Sequence, residues 1–243
     1  ATGEDEEYVI KAIELGYEEL GFSDHIMIPG LSQKGIRGEY EEIENYIESI
    51  NNLKKKYSDR IKIFCGFECE YFEQYADYYK ELINRNDVDY FILGQHFYFN
   101  DNNEINNCMW RPKNKVEAEK KYIELVIKGI SSGLFKYVAH PDVFMTMESE
   151  WNETCIDISK RLCEAAIKYD IPIEINLCQT RFEDKNKWVY PRDEFWKIAS
   201  EYGVKVVIGA DAHYPEMLKE VAFDRAFDLV KKYKLNYLEK IEI

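Results

Sequence analysis

The sequence predicts an α/β protein built as a (β/α) barrel. Short apolar runs alternate with amphipathic segments along the whole chain, the pattern of parallel strands joined by right-handed helical crossovers. The runs are almost continuously apolar, as strands buried on both faces must be. Neither a G-x-G-x-x-G turn nor a P-loop is present, which removes the signature of an open nucleotide-binding sheet.

The elements follow in order. Residues 4–15 read as a helix, with Tyr8, Val9, Ala12 and Ile13 on one side, Thr2 as N-cap and Gly16 at the far end. "ELGFSDH" (19–25) is the first strand, and helix 39–57 leads to strand "IKIFCGFE" (61–68). Helix 74–85 passes through the turn-like "RNDVDY" into strand "DYFILGQH" (89–96). A long loop (97–114) precedes helix 115–132 and strand "KYVAHPD" (136–142). Helix 152–169 turns at "KYDIPIEI" into strand "IPIEIN" (171–176). Helix 192–202, strand "VKVVIGADAH" (204–213) and helix 215–233 complete the series. Six strands and seven helices run over residues 1–243 as one domain, without repeat, low-complexity tract or linker.

Composition narrows the function. A formal net charge of −14 disfavours nucleic acid and anionic membranes as partners. No apolar stretch approaches the ~18–20 residues of a membrane span, and no signal peptide opens the sequence. The six cysteines form no C-x-x-C pair, so free thiols in a reducing cytoplasm are expected.

All four histidines, His25, His96, His140 and His213, fall at the C-terminal ends of expected strands. Asp24, Glu68, Asp142, Glu174, Asn176 and Asp211 cluster there too. In (β/α) barrels that end is the face on which active sites are built. Each residue alone has an ordinary reading: Asp142 as a helix N-cap, Glu68 as an acid paired with arginine, a histidine as a hydrogen-bonded structural residue. The shared location of all of them points instead to a metal centre. Imidazole and carboxylate together suit Zn²⁺, Fe²⁺ or Mn²⁺, and Glu68 is the expected bridging carboxylate. Such ions assist hydrolysis of phosphate esters, which are very slow to react unaided.

The ordered motifs "GFSDH", "GFECEY", "ILGQHFY", "HPD", "EIN" and "GADAH" resemble the PHP (polymerase and histidinol phosphatase) superfamily, most nearly its monofunctional histidinol-phosphatases. The resemblance spans essentially the whole sequence. It implies a distorted seven-stranded (β/α) barrel with up to three divalent ions at its C-terminal face. It further implies that Glu68 bridges two ions, that His96 and His140 complete one, that Asp211 binds another, and that His25 and His213 belong to the third. Asp24 would orient the ligands. Family members begin with an H-x-H strand and a further histidine; here the sequence opens at "ATGEDEEYVIKAIELG", beyond that segment. The first barrel strand is therefore expected to be missing, as in a fragment of a longer protein.

The implied activity is hydrolysis of a small phosphate ester, histidinol phosphate, with Glu68, Asp211 and His213 catalytic. Other members of the superfamily act on other phosphate esters, and a non-catalytic metal-binding remnant is the alternative that the absent histidines support. A C–N metallohydrolase would want a carboxylated lysine or a different histidine pattern. Arg181, in the loop after "EINLCQT", is the first candidate to grip phosphate, against a surface pairing with Glu183 or Asp184. Arg111 in "MWRP" and Arg37 in the loop "PGLSQKGIRG" are further candidates, the latter on a loop that could act as a lid.

Overall fold

The computed structural model describes residues 1–181, 189–219 and 221–243. Helix α1 (Asp5–Glu14) opens the chain, with Glu4 N–H donating to Glu7 Oε2 at 2.9 Å across its first turn. Thr2 is not its cap: its N–H and hydroxyl both donate to the carbonyl of His213, far along the chain. Strand β1 (Glu19–His25) follows, then α2 (Ile43–Lys56). The α2 helix buries Ile43, Ile47, Ile50 and Leu53 on one stripe, and Lys54, Lys55 and Lys56 oppose the negative end of its dipole. Strand β2 (Lys62–Cys69), helix α3 (Ala76–Ile83) and strand β3 (Tyr90–Leu93) come next.

The expected loop 97–114 contains a hairpin, β4 (Phe97–Phe99) paired antiparallel with β5 (Ile105–Asn107). Helix α4 (Lys115–Ser132) starts at Asn114, whose side chain accepts from Glu117 N–H, and stops at Gly133 in the left-handed conformation (φ 71°). Helix α5 (Glu153–Lys168), strand β6 (Ile173–Asn176), helix α6 (Asp193–Tyr202) and strand β7 (Lys205–Gly209) complete the expected alternation. The expected helix 215–233 divides into a 3-10 turn, Pro215–Leu218, and α7 (Val221–Tyr233). A two-residue strand, β8 (Asn236–Tyr237), follows.

Parallel ladders run in the order β1-β2-β3 and β6-β7-β8. Val138 joins them through single parallel bridges to Leu93 and Ile173. The expected strand 136–142 is thus reduced to a short extended segment. Its backbone bonds reach both neighbours, Ala139 N–H to Leu93 and Glu174 N–H to Val138. It then stops because His140 has φ 29° and Pro141 has no N–H to donate. Among the described residues no ladder joins β8 to β1, so the sheets do not close into a ring. No helix among the described residues is long and apolar enough to cross a membrane, and all six cysteines are free thiols.

Helices pack outside the strands through a core that includes Trp196, Tyr79, Tyr122, Phe67, Phe91 and Phe195, each fully buried. On the other face of the strands, Tyr90 packs over two glycines. A Cβ on Gly66 would lie 2.4 Å from the Tyr90 ring, and one on Gly21 2.5 Å from its hydroxyl. That hydroxyl donates to Phe22 O at 2.9 Å. A Gly66→Ala substitution therefore displaces a buried ring. It is expected to destabilise by about 1–3 kcal/mol, read as a lowered unfolding midpoint; an unchanged midpoint would show that the ring relaxes freely.

Candidate metal centre

The strand ends deliver the site. His25 closes β1 and pairs in register with Glu68 near the end of β2. Glu68 in turn pairs with Ile92 of β3. Two-residue periodicity puts Glu68 and Gly66 on one face, and Ile92 and Gly94 on the matching face of the next segment. Gly94 has no side chain because Glu68 occupies the space: a Cβ there would lie 2.0 Å from Glu68 Oε1. Gly209 does the same for Glu174, whose Oε1 would be 1.6 Å from a Cβ.

Three side chains converge most closely. His140 Nε2 is 2.7 Å from Glu68 Oε1, His96 Nε2 is 3.5 Å from that oxygen, and the two Nε2 atoms are 3.1 Å apart. His25 stands beside them, its Nδ1 3.7 Å from Glu68 Oε2 and its ring centroid 5.1 Å from that of His96. The Nδ1 atoms of His25 and His140 are buried and have no hydrogen-bond partner among the described residues. One largely buried carboxylate and two buried imidazole nitrogens, aimed at one another, form a donor set that fits a divalent cation. A second group, His25, Glu70 and His96, has donor atoms within similar reach.

Electrostatics around the group are strong. Burial alone would raise the Glu68 carboxyl, yet His96, His25 and His140 hold it well below the usual carboxylate range. Burial works against protonation of His140, but its hydrogen bond to Glu68 pushes it up to about 9. Burial pushes Glu174 up to about 7; its Oε2 accepts from His140 N–H at 3.0 Å and from the Asn176 amide at 2.9 Å. Burial also takes Asp142 to about 7, and its Oδ2 accepts from Arg192 N–H at 2.6 Å, tying "HPD" to the segment before α6. Asp142 holds the N-cap position of the 3-10 turn that follows it, without a capping hydrogen bond from its side chain.

Asp211 and His213 stand on the rim of this cluster. Asp211 is half-buried, has φ 44°, and is close enough to raise the pKa of both His140 and Glu174. His213 is more than half exposed and turns back on its own loop, with Nδ1 3.1 Å from Asp211 O and 3.4 Å from Asp211 Oδ1. Among the described residues, the donor group that includes His25 joins it to Glu70 and His96. Asp24 is exposed and accepts from His25 N–H at 2.8 Å.

The three arginines separate. Arg181 is half-buried and donates to the carbonyl of Ala210, next to Asp211. Glu183 and Asp184, its alternative partners, lie outside the described residues. Arg111 is exposed with φ 51°; its loop springs from Cys108, whose N–H donates to His96 O at 2.8 Å. Arg37 departs from expectation. Its side chain is fully buried and bonded to Glu70 Oε2 at 2.9 Å, Ile26 O at 2.7 Å and Gln33 Oε1 at 2.6 Å. A guanidinium so enclosed cannot reach a phosphate from a lid.

Glu70 lines the cluster and was not singled out from the sequence. It is fully buried, with Oε1 3.0 Å from His96 Nδ1. Burial would raise it, but His96 and Arg37 hold it at about 2. The signal was available in "GFECEY", where two acids are spaced by two beside a strand end.

His140 must release its proton to bind an ion. Its folded pKa of about 9 lies above the ordinary 6.5, so below about 9 protons compete with the ion. Zinc affinity of metal-stripped protein is expected to rise about tenfold per pH unit toward that value, for a one-proton competition. Titration calorimetry in buffers of different ionisation enthalpy should register the released proton; identical heats in all buffers would refute it.

Comparison with known proteins agrees with the geometry. The family model described as "PHP domain" matches residues 1–177. A Deinococcus radiodurans protein named "probable histidinol-phosphatase" is 24% identical over 237 residues, covering 96% of this chain and 88% of that one. A Schizosaccharomyces pombe protein of the same name is 21% identical over 244 residues, covering 90% of this chain and 78% of that one. Among solved structures, histidinol phosphate phosphatase from Lactococcus lactis, crystallised with zinc, L-histidinol and phosphate, superposes with a TM-score of 0.73 at 20% identity, covering 98% of this chain and 92% of that one. With a family model matched over more than half its length, and an α/β fold shared with that structure, the chain belongs to the PHP domain family.

Proposed function

We propose that this protein is a metal-dependent phosphomonoesterase that hydrolyses L-histidinol phosphate to L-histidinol and inorganic phosphate. The convergence of Glu68, His96 and His140 carries the reading. Its family and the histidinol-phosphatases to which it is similar supply the substrate. For the scaffold we infer the distorted seven-stranded (β/α) barrel, supported by the parallel order of the strands and the bridges at Val138. The free thiols suit a cytoplasmic setting.

Glu68, His96 and His140 would hold one divalent ion. His25, Asp211 and His213 would hold others, up to three in all, of zinc, iron or manganese. Bound divalent ions supply Lewis acidity to a phosphoryl group and make water a better nucleophile near neutral pH. The chain's own groups do the rest. Glu68 stays ionised because three imidazoles surround it. Arg181, anchored at Ala210, presents a planar donor fork to phosphoryl oxygens. Asp211 and His213, on the accessible rim, hold or deliver the proton that the departing alcohol needs. Arg111, exposed on the loop beside His96, is a second phosphate contact.

Purified protein should release phosphate from histidinol phosphate in preference to other phosphate esters, with divalent metal found by elemental analysis. A metal-loaded protein inert toward the whole panel would refute the reading. Glu68→Ala or His140→Ala should lower both turnover and bound metal, turnover by on the order of 10²-fold or more; unchanged values for both would remove these residues from the site. Arg181→Met should raise KM and weaken inhibition by phosphate with bound metal unchanged. A variant with wild-type KM would place Arg181 off the substrate path.

A further inference from the structure

We propose that Glu70, held by Arg37, is a positioning residue that keeps the ring proton of His96 on Nδ1 and so leaves Nε2 to face Glu68 and His140; this rests on reading that cluster as a metal centre. Both side chains are fully buried, and Arg37 Nη2 lies 2.9 Å from Glu70 Oε2. Arginine is permanently charged, so a buried carboxylate against it is an anion, and an anionic carboxylate only accepts. Its other oxygen is 3.0 Å from His96 Nδ1. That nitrogen must therefore donate. In a neutral ring the lone pair then falls on Nε2, which is 3.1 Å from His140 Nε2 and 3.5 Å from Glu68 Oε1.

The carboxylate is itself braced. Tyr79 hydroxyl donates to Glu70 O at 2.9 Å, which pins the main chain to α3. Arg37 Nη1 donates to Ile26 O at 2.7 Å, so one guanidinium ties the segment after His25 to the segment after Glu68. The same geometry argues against Glu70 as a ligand with His25 and His96. A cation there would compete with Arg37 for the carboxylate and would require Nδ1 to lose its proton. Orientation of a ligand by a carboxylate on its far nitrogen is the role that fits both contacts.

Glu70→Gln separates orientation from structural support. Arg37 still needs an acceptor, so the Gln oxygen turns to it and the amide NH₂ faces His96 Nδ1. That nitrogen must then accept, and the ring proton moves to Nε2. Nitrogen-15 NMR of zinc-free protein at mildly alkaline pH reads the tautomer, and competition with a chromophoric chelator reads zinc affinity. Wild type is expected with the His96 proton on Nδ1. Glu70→Gln is expected with it on Nε2 and with zinc bound 10–100-fold more weakly. Adding Arg37→Met to Glu70→Gln frees the Gln to turn its oxygen to His96, and should restore the Nδ1–H tautomer and part of the affinity. Wild-type protein carrying the proton on Nε2 overturns the proposal even if no variant folds. Unaltered zinc affinity in folded Glu70→Gln overturns it too. Wild-type protein that binds no zinc would defeat the metal-centre reading instead, while the tautomer measurement still decides the role of Glu70.

Discussion

An ionised carboxylate out of water must be answered by positive or donor groups, and Glu68 is where this molecule meets that demand. A buried charge without partners costs several kcal/mol. Glu68 is answered by imidazoles from three other segments: His25 from the neighbouring strand, His96 from beyond β3, and His140 from beyond the Val138 bridge. Beside it, Glu70 is answered by Arg37 and His96. Few arrangements of the strands would satisfy both acids, so the electrostatic demand and the parallel topology select the same ending for each strand. A divalent cation meets the same demand in a second way, which is why a stable buried cluster and a metal centre can be one object.

Holding such groups in place requires the strand ends to be fixed after their ladders stop. Tyrosine does much of this. Tyr78, Tyr79 and Tyr122 donate to the carbonyls of Met27, Glu70 and Pro141, each just past a strand or bridge that carries a site residue. Each ring lies wholly or partly within the packed layers, and each hydroxyl satisfies a carbonyl that the sheet leaves unpaired. Glycine does the complementary work, with Gly94 and Gly209 leaving room for Glu68 and Glu174.

The site has a rigid interior and a more open rim. His96 and His140 are buried, Glu68 nearly so, whereas His213 is largely exposed. Backbone strain is found in both parts: His140 and Asp211 have positive φ, which non-glycine residues seldom adopt. At His140 the conformation is held by Glu174 accepting its N–H, and at the rim Arg181 and Thr2 grip the carbonyls of Ala210 and His213. Interior groups with fixed geometry suit ion binding. A rim loop with an accessible acid and histidine suits contact with a substrate that must enter and leave.

Much was legible in the sequence, because hydrophobic periodicity is a local property. The alternation of strands and helices, the span of α4 and the placing of four histidines at or just past strand ends follow from runs and spacings alone. Where the expectation failed, the cause was non-local. Thr2 was read as a cap but bonds to His213, 211 residues away. Arg37 shows the limit best. In a polar, glycine-containing loop it looks like a solvated cation able to reach a ligand, and nothing nearby in the sequence marks it for burial. Only the folded chain brings it to Glu70, 33 residues away. The sequence by itself determined which chemical groups stand at the ends of the strands, since periodicity acts over a few residues. Tertiary structure alone decided which of them meet, because the burial of a charge depends on partners that come from distant segments.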